Sequence, residues 1–522
     1  LHDSLKLFWQ DKKIFTRVLL AVYFTLGLIG ILHHSMWRDE LNGWLIARDS
    51  QSLADFWDNI KYEGHPLLWY LCLALLNQLT SNPVAMQIFH LFLATGAAYL
   101  FIRFSPFKPI EKLLFTFGYL PFYEYLVISR NYAIGLLFVF LFCTLFGTRR
   151  KTYLWLAFVL ALMANSNAYC LLISLALALM LVVEYRFRRE FAAELEASLN
   201  NALASLFLYA SGAIASIITL LPPADSQLQG GVTQWMFQFD VLRLARTLNR
   251  IWNSYILVIT PSHSRLLDQS IFVVFSLFIL ALAIALFIKK PFILLFYLIG
   301  TLEILLFTYI KFLGSPRHYG QIYIVFITSL WLASYYPNSF SILNLLTNLS
   351  PKFQYLLERW LRFVARHKTT FIMAILSAQL VAGILGFIRD LTVPYSASRE
   401  TAQFIKTHQL DSLLIVGSED FAISPLCGYL DRKIYYPEIR QLGSFVLFNR
   451  KRAIADDREV LAQVSELVKE KNTKILLILN HELDGSRDDL LITTVAKFPR
   501  AFIYNEKYYL YSISRLDKVK IP

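Results

Sequence analysis

The chain has 522 residues, of which 56% are hydrophobic, 15% aromatic and only 17% charged, and its mean hydropathy is +0.49; these values argue against a soluble globular protein and against a disordered one. The formal net charge of +13 does not point to nucleic acid, because the Lys and Arg residues fall in short clusters between apolar runs, as in loops that face anionic lipid. Cys72, Cys143 and Cys170 lie in apolar segments and Cys427 in a polar tail, so neither a disulfide framework nor zinc spacing is present.

The first apolar run, 14–35, is long enough to cross about 30 Å of hydrocarbon. No small-residue cleavage site follows it, so it reads as a retained anchor. Residues 36–65 form a polar loop that starts with Trp37-Arg38-Asp39-Glu40. Adjacent carboxylates beside lipid are costly and point to catalysis or ion handling. Asp39 reads as a general base, with Glu40 as a hydrogen-bonding or metal-contacting neighbour; the alternative is an ordinary helix start with acidic groups near its positive end. Trp37, Leu41, Trp44, Leu45 and Arg48, then Leu53, Phe56, Trp57 and Ile60, fall at helical spacing, which predicts two short amphipathic helices in the membrane interface. The loop closes with Glu63-Gly64-His65-Pro66, two titratable groups on the same side as Asp39 before a stiff helix entry.

Further apolar runs at 83–103, 111–128, 131–147, 153–165, 168–185, 201–221, 271–288, 291–310, 319–336 and 369–390 bring the total to about eleven candidate spans. The segment Pro66 to Thr80 is expected not to cross, because only then do the basic clusters all fall on the cytoplasmic side. Those clusters are Lys12, Lys13 and Arg17; Arg103, Lys108 and Lys112; Arg149, Arg150 and Lys151; Arg186, Arg188 and Arg189; Lys289 and Lys290; and the stretch from Lys352 to Lys368. In that orientation the external face collects loop 36–65, the turn Ser129-Arg130-Asn131-Tyr132, the turn Asn165-Ser166-Asn167, loop 222–270, the turn Gly314-Ser315-Pro316-Arg317-His318-Tyr319 and everything after about 391. Arg130 and Arg317 suit the grip of phosphate oxygens, against the plainer reading of side chains snorkelling to headgroups. Residues 241–255 predict another interfacial helix, with Arg243, Arg246 and Arg250 on its polar face, and 353–366 a basic one on the cytoplasmic leaflet.

From Ser396 the composition becomes that of a small α/β unit. Helices are predicted at Thr401 to His408 and Arg458 to Lys471, strands at Ser412 to Gly417 and Lys474 to Leu479, and a hairpin through Ala501 to Ser514.

In this order the motifs resemble the GT-C superfamily of polytopic glycosyltransferases, in particular the protein O-mannosyltransferases and the aminoarabinose transferase of lipid A. The likeness spans roughly residues 14–336. It rests on Asp39-Glu40 after the first span, on His65-Pro66-Leu67-Leu68-Trp69-Tyr70 beside the family's His-Pro-Pro-Leu-Tyr-Tyr element, on Arg130-Asn131-Tyr132-Ala133, on Arg317-His318-Tyr319, and on a soluble domain after the last span. Leu67 departs from the second proline of that element, and Asn165-Ser166-Asn167 stands where some relatives place a lysine or histidine. The resemblance implies an all-α polytopic membrane bundle with interfacial helices over residues 1–391 and a soluble extracytoplasmic α/β domain over 392–522. It further implies an inverting glycosyltransferase that moves a hexose or pentose from a polyprenyl-phosphate donor to a lipid, glycan or protein acceptor. Asp39 and Glu40 would be catalytic, Glu63, His65, Arg130, Tyr132, Arg317 and His318 would line the donor phosphate and substrate, and Asp39, Glu40 and His65 would hold Mg or Mn if a divalent cation is used. The expected setting is a bacterial inner membrane, with the site on the periplasmic or extracellular side. The competing reading is a polytopic transporter or lipid flippase, which would more often show inverted repeats and charges at mid-membrane.

Overall fold

The computed structural model describes residues 11–187, 196–227, 235–257, 265–346 and 351–516. Arg188, Arg189, parts of the 222–270 loop and the tail beyond 516 lie outside the described residues.

The membrane part runs α1 (Lys12–His33), α2 (Arg38–Asp49), α3 (Leu53–Ile60), α4 (Leu67–Asn77), α5 (Val84–Phe104), α6 (Pro109–Thr116), a π-helical turn (Tyr119–Val127), α7 (Tyr132–Leu145), α8 (Leu154–Ala164), α9 (Ala168–Arg186), α10 (Leu199–Leu220), α11 (Val241–Tyr255), α12 (Arg265–Phe287), α13 (Pro291–Ile310), α14 (Pro316–Tyr319), α15 (Gln321–Leu332), α16 (Ser341–Leu346) and α17 (Pro351–Thr392). Among the described residues, eight helices are long and apolar enough to cross a membrane. The expected total of about eleven is therefore not reached on helix length. The run 153–165 yields only α8, about 16 Å long at 1.5 Å per residue, and 319–336 is split between α14, α15 and a 3-10 turn. The run 111–128 is interrupted where α17 crosses it. A Cβ on Gly383 would sit 2.5 Å from the Phe117 carbonyl oxygen, so the backbones meet at contact distance, and Pro121 supplies no N–H to a regular ladder. The segment Pro66 to Thr80 gives α4, 11 residues long, too short to span.

Two interfacial helices are corrected by the structure. Helix α2 does form, with Asp39 and Glu40 in its first turn, but Leu41, Trp44, Leu45 and Ile46 are wholly buried; it is packed between α4 and the soluble domain rather than lying on lipid. The basic 353–366 stretch is not a separate element, being the first half of the continuous 42-residue helix α17.

The soluble domain comprises α18 (Ser398–Thr407), β1 (Leu414–Ser418), α19 (Asp420–Leu430), β2 (Ile434–Tyr436), β3 (Gln441–Gly443), α20 (Asp457–Lys471), β4 (Ile475–Leu479), β5 (Leu490–Phe498) and β6 (Tyr508–Arg515). Its six strands are ordered β3-β2-β1-β4-β6-β5, with β1 parallel to β2 and β4 and the other pairs antiparallel. The hairpin is β5 with β6, so the expected hairpin at 501–514 covers only its turn and second strand. One face of the sheet packs on Val460, Val464 and Val468 of α20. On the other, Ile415, Ile423, Leu426 and Ile478 share one core with Leu41, Trp44 and Leu45 of α2. Burial of that common apolar surface seats the domain on the bundle.

Candidate active site

Asp39 stands at the start of α2, whose entry is fixed by its neighbour. Glu40 Oε2 accepts the Trp37 N–H at 3.2 Å, closing the helix start as a carboxylate at the third position does. The 100° step to the next residue then turns Asp39 to the opposite side, where its side chain keeps 27% exposure. Arg317 Nη2 donates to Asp39 Oδ2 at 2.7 Å, and Arg130 Nη1 lies 3.8 Å from the same oxygen. Arg38 Nε is 3.9 Å from Oδ1. Burial alone would push the Asp39 carboxyl up; Arg130, Arg317 and Arg38 outweigh it and hold the group below the usual carboxylate range.

Arg130 ties the cluster together. Its Nη1 also donates to the Asp39 carbonyl, and its Nη2 to His65 Nε2 at 2.8 Å. A guanidinium only donates, so His65 is a neutral imidazole with its proton on Nδ1, an enclosed atom without a partner. Burial and then Arg130 press its titration down to about 3. Gly64, at φ 67°, makes the left-handed turn that delivers His65, a conformation favouring glycine. Asp39, His65, Arg130 and Arg317, drawn from three separate stretches, thus form one contact group.

The remaining expected residues flank it. Glu63 accepts from Asn42 Nδ2 at 2.6 Å and from the Tyr70 hydroxyl at 3.2 Å; burial raises its carboxyl. His318 Nδ1 accepts the Ser315 N–H at 2.9 Å, and burial followed by Arg317 keeps it neutral, well below its usual value. Its ring meets Tyr132 edge-on at 5.9 Å, and the Tyr132 hydroxyl is buried without a partner. Glu40 does not join Asp39. Both its oxygens point inward, to His34 Nε2 at 2.9 Å and to the Ser129 N–H at 2.6 Å.

That geometry also tests the metal trio. The Glu40 oxygens are taken by N–H donors, the His65 Nε2 lone pair by Arg130, and two guanidinium groups crowd Asp39. This donor set does not fit a divalent cation, which needs several free oxygen or nitrogen lone pairs around one point. Among the described residues no group of three His, Cys, Asp or Glu side chains could hold one.

Several neighbours were not singled out as site residues from sequence. Trp37 lies under the Arg317 guanidinium at 5.2 Å, a cation–π platform. Arg250, expected on the polar face of an interfacial helix, is half-buried, with its guanidinium 4.7 Å over the Tyr319 ring and its Nε enclosed and unpartnered. The soluble domain also reaches the site. Glu506 Oε1 accepts the Arg38 N–H at 3.2 Å, and Asn505 Oδ1 accepts from Arg38 Nη1 at 2.7 Å. Trp37 and Arg38 carried a signal as neighbours of Asp39 in one motif, and Arg250 as a basic side chain on a helix expected at the same level; Asn505 and Glu506 carried none.

The fold is thus a polytopic bundle that ends in an α/β domain docked over the 36–65 loop. Among solved structures it is similar to ArnT from Cupriavidus metallidurans bound to undecaprenyl phosphate, with 11% identity, a TM-score of 0.52, and coverage of 95% of this chain and 98% of that one. No family model and no curated protein matches the sequence.

Proposed function

We propose that the protein is an inverting glycosyltransferase that takes a hexose or pentose from a polyprenyl-phosphate donor and passes it to an acceptor hydroxyl on the non-cytoplasmic face of a bacterial inner membrane. The observation that carries this reading is the contact of one carboxylate with Arg130 and Arg317 where the 36–65 loop meets the turns at 129–132 and 314–319. The solved neighbour, which holds undecaprenyl phosphate, supports the choice of lipid.

The chemistry follows from competition for the two arginines. A donor phosphate is a stronger partner for a planar guanidinium than a single carboxylate oxygen. As it binds, Arg317 and Arg130 turn to its oxygens, and Asp39 loses the charges that hold its basicity down. The freed carboxylate then accepts the acceptor's proton while the acceptor oxygen attacks the anomeric carbon from the face opposite the phosphate. The bond to the phosphate oxygen breaks, and the arginines stabilise the departing anion. Neutral His65 fixes Arg130, and Arg250 adds a further cationic group near His318. In this scheme guanidinium groups fill the role a divalent cation would have had.

Asp39→Asn in reconstituted protein with donor and acceptor tests the reading. Loss of turnover by about 10²–10⁴ is expected for removal of a general base; unchanged turnover in folded protein would take Asp39 out of the mechanism. Flipping of the lipid without sugar transfer would favour a flippase instead.

A further inference from the structure

Behind Asp39 lies a buried ionic relay that the scheme above does not use. His34, just past the end of α1, is completely enclosed. Its Nδ1 is 2.8 Å from Asp390 Oδ2 on the last turn of α17, and its Nε2 is 2.9 Å from Glu40 Oε2 on the first turn of α2. Glu40 is an acceptor on every side, since the Trp37 and Ser129 N–H groups also point at it. The His34 ring packs on Tyr395 at 4.8 Å, and Arg399 donates to the carbonyls of Leu32, His33 and His34. Glu124 on the π-helical turn and Arg399 are further charged groups whose fields reach it.

We infer that His34 is a cationic positioning residue, whose two N–H groups clamp Asp390 and Glu40 and thereby hold Asp39 and Arg130 in register. The inference rests on the glycosyl-transfer reading and deepens it. Glu40 is adjacent to Asp39, and Ser129, which Glu40 holds, is adjacent to Arg130. The imidazolium therefore pins the first turn of α2 to the 129–131 turn and to the last span. A neutral imidazole has one N–H and could serve only one of the two carboxylates, leaving the other buried without its donor. A carboxylate oxygen within 2.9 Å of each ring nitrogen favours the doubly protonated ring.

The test uses the full-length protein in lipid nanodiscs. His34→Gln is expected to lower kcat more than tenfold and to raise the donor KM by a smaller factor, because the base and Arg130 are both misplaced while Arg317 still reaches the phosphate. A kcat within twofold of the parent overturns the inference. Should His34→Gln not fold, Asp390→Asn reads the same clamp: a reduced kcat supports it, and an unchanged kcat overturns it. A merely structural role would not demand charge, which ¹⁵N-histidine NMR reads directly. The resonance lost in a His34 or Asp390 variant should show both ring nitrogens protonated at pH 8, and a neutral ring at pH 8 overturns the inference. Asp39→Asn in the same preparation separates the two levels. If it is inactive while His34→Gln is normal, only the clamp fails; if it is active, Asp39 is not the base, the clamp has no base to position, and the NMR result still decides the charge.

Discussion

At Asp39, burial and charge pull in opposite directions, and the two arginines decide the outcome. Removing Arg317 takes away the nearer guanidinium and leaves burial with the larger say, so the carboxyl rises. Arg317→Gln is expected to move the acid limb of the kcat/KM profile to higher pH. It should also cut kcat by about 10²–10³, the scale for losing one preorganised donor at a developing anion. A pH–rate series on the parent and the variant checks both. An unmoved acid limb would mean that another group than Asp39 titrates there.

The element that matters most is α2. A helix with Asp39 at its start and Leu41, Trp44 and Leu45 at zero exposure is held by packing on both flanks, so its first turn cannot rock as a helix on a lipid surface would. The Cβ position of Gly428 would lie 3.0 Å from a Leu41 methyl, a measure of how closely α19 approaches. Leu41→Ala leaves a cavity there and is expected to cost about 2–5 kcal/mol of stability. Thermal unfolding reads that loss, and turnover should fall with it because the same helix carries the base. A melting temperature equal to the parent's would show that the contact between α2 and α19 bears no stability.

At the scale of the molecule, the soluble domain is fastened to the bundle by an apolar seam with a few polar ties. These include Arg48 Nη1 to Asp431 at 2.8 Å and the Arg38 contacts with Asn505 and Glu506. Glu506 is wholly buried, and burial lifts its carboxyl to about 8. The folded value lies above the ordinary 4.5, so the folded state binds the extra proton. The stability this brings is fully present below about pH 4.5 and is lost as the pH rises through about 8. The seam is therefore expected to loosen as the pH rises from about 4.5 to about 8, seen as faster proteolysis around residues 393–397. Glu506→Gln should flatten that dependence, and an equal slope in both proteins would clear Glu506 of the effect.

Some of this protein was settled by local sequence. Of the about eleven apolar runs that hydropathy picked out, eight hold long helices among the described residues, because a 20-residue apolar run has few other ways to satisfy its backbone near lipid. The basic clusters and the change of composition at Ser396 marked out the polar face and the soluble domain. The residues that now cluster at Asp39 were visible as unusual polar groups between apolar runs. What the tertiary structure decided is which of them touch. The contacts of Asp39 with Arg130 and Arg317 join residues 91 and 278 positions apart, and no local period carries that information. The same holds for Glu40, which sequence pairs with Asp39 but which turns inward because the next helical residue faces another way and His34 waits there. It holds for α2, whose amphipathic pattern reads equally as a lipid-facing stripe or a protein-facing one. Periodicity tells how a segment folds and which side is apolar, whereas the partner of that side depends on chain packing hundreds of residues away.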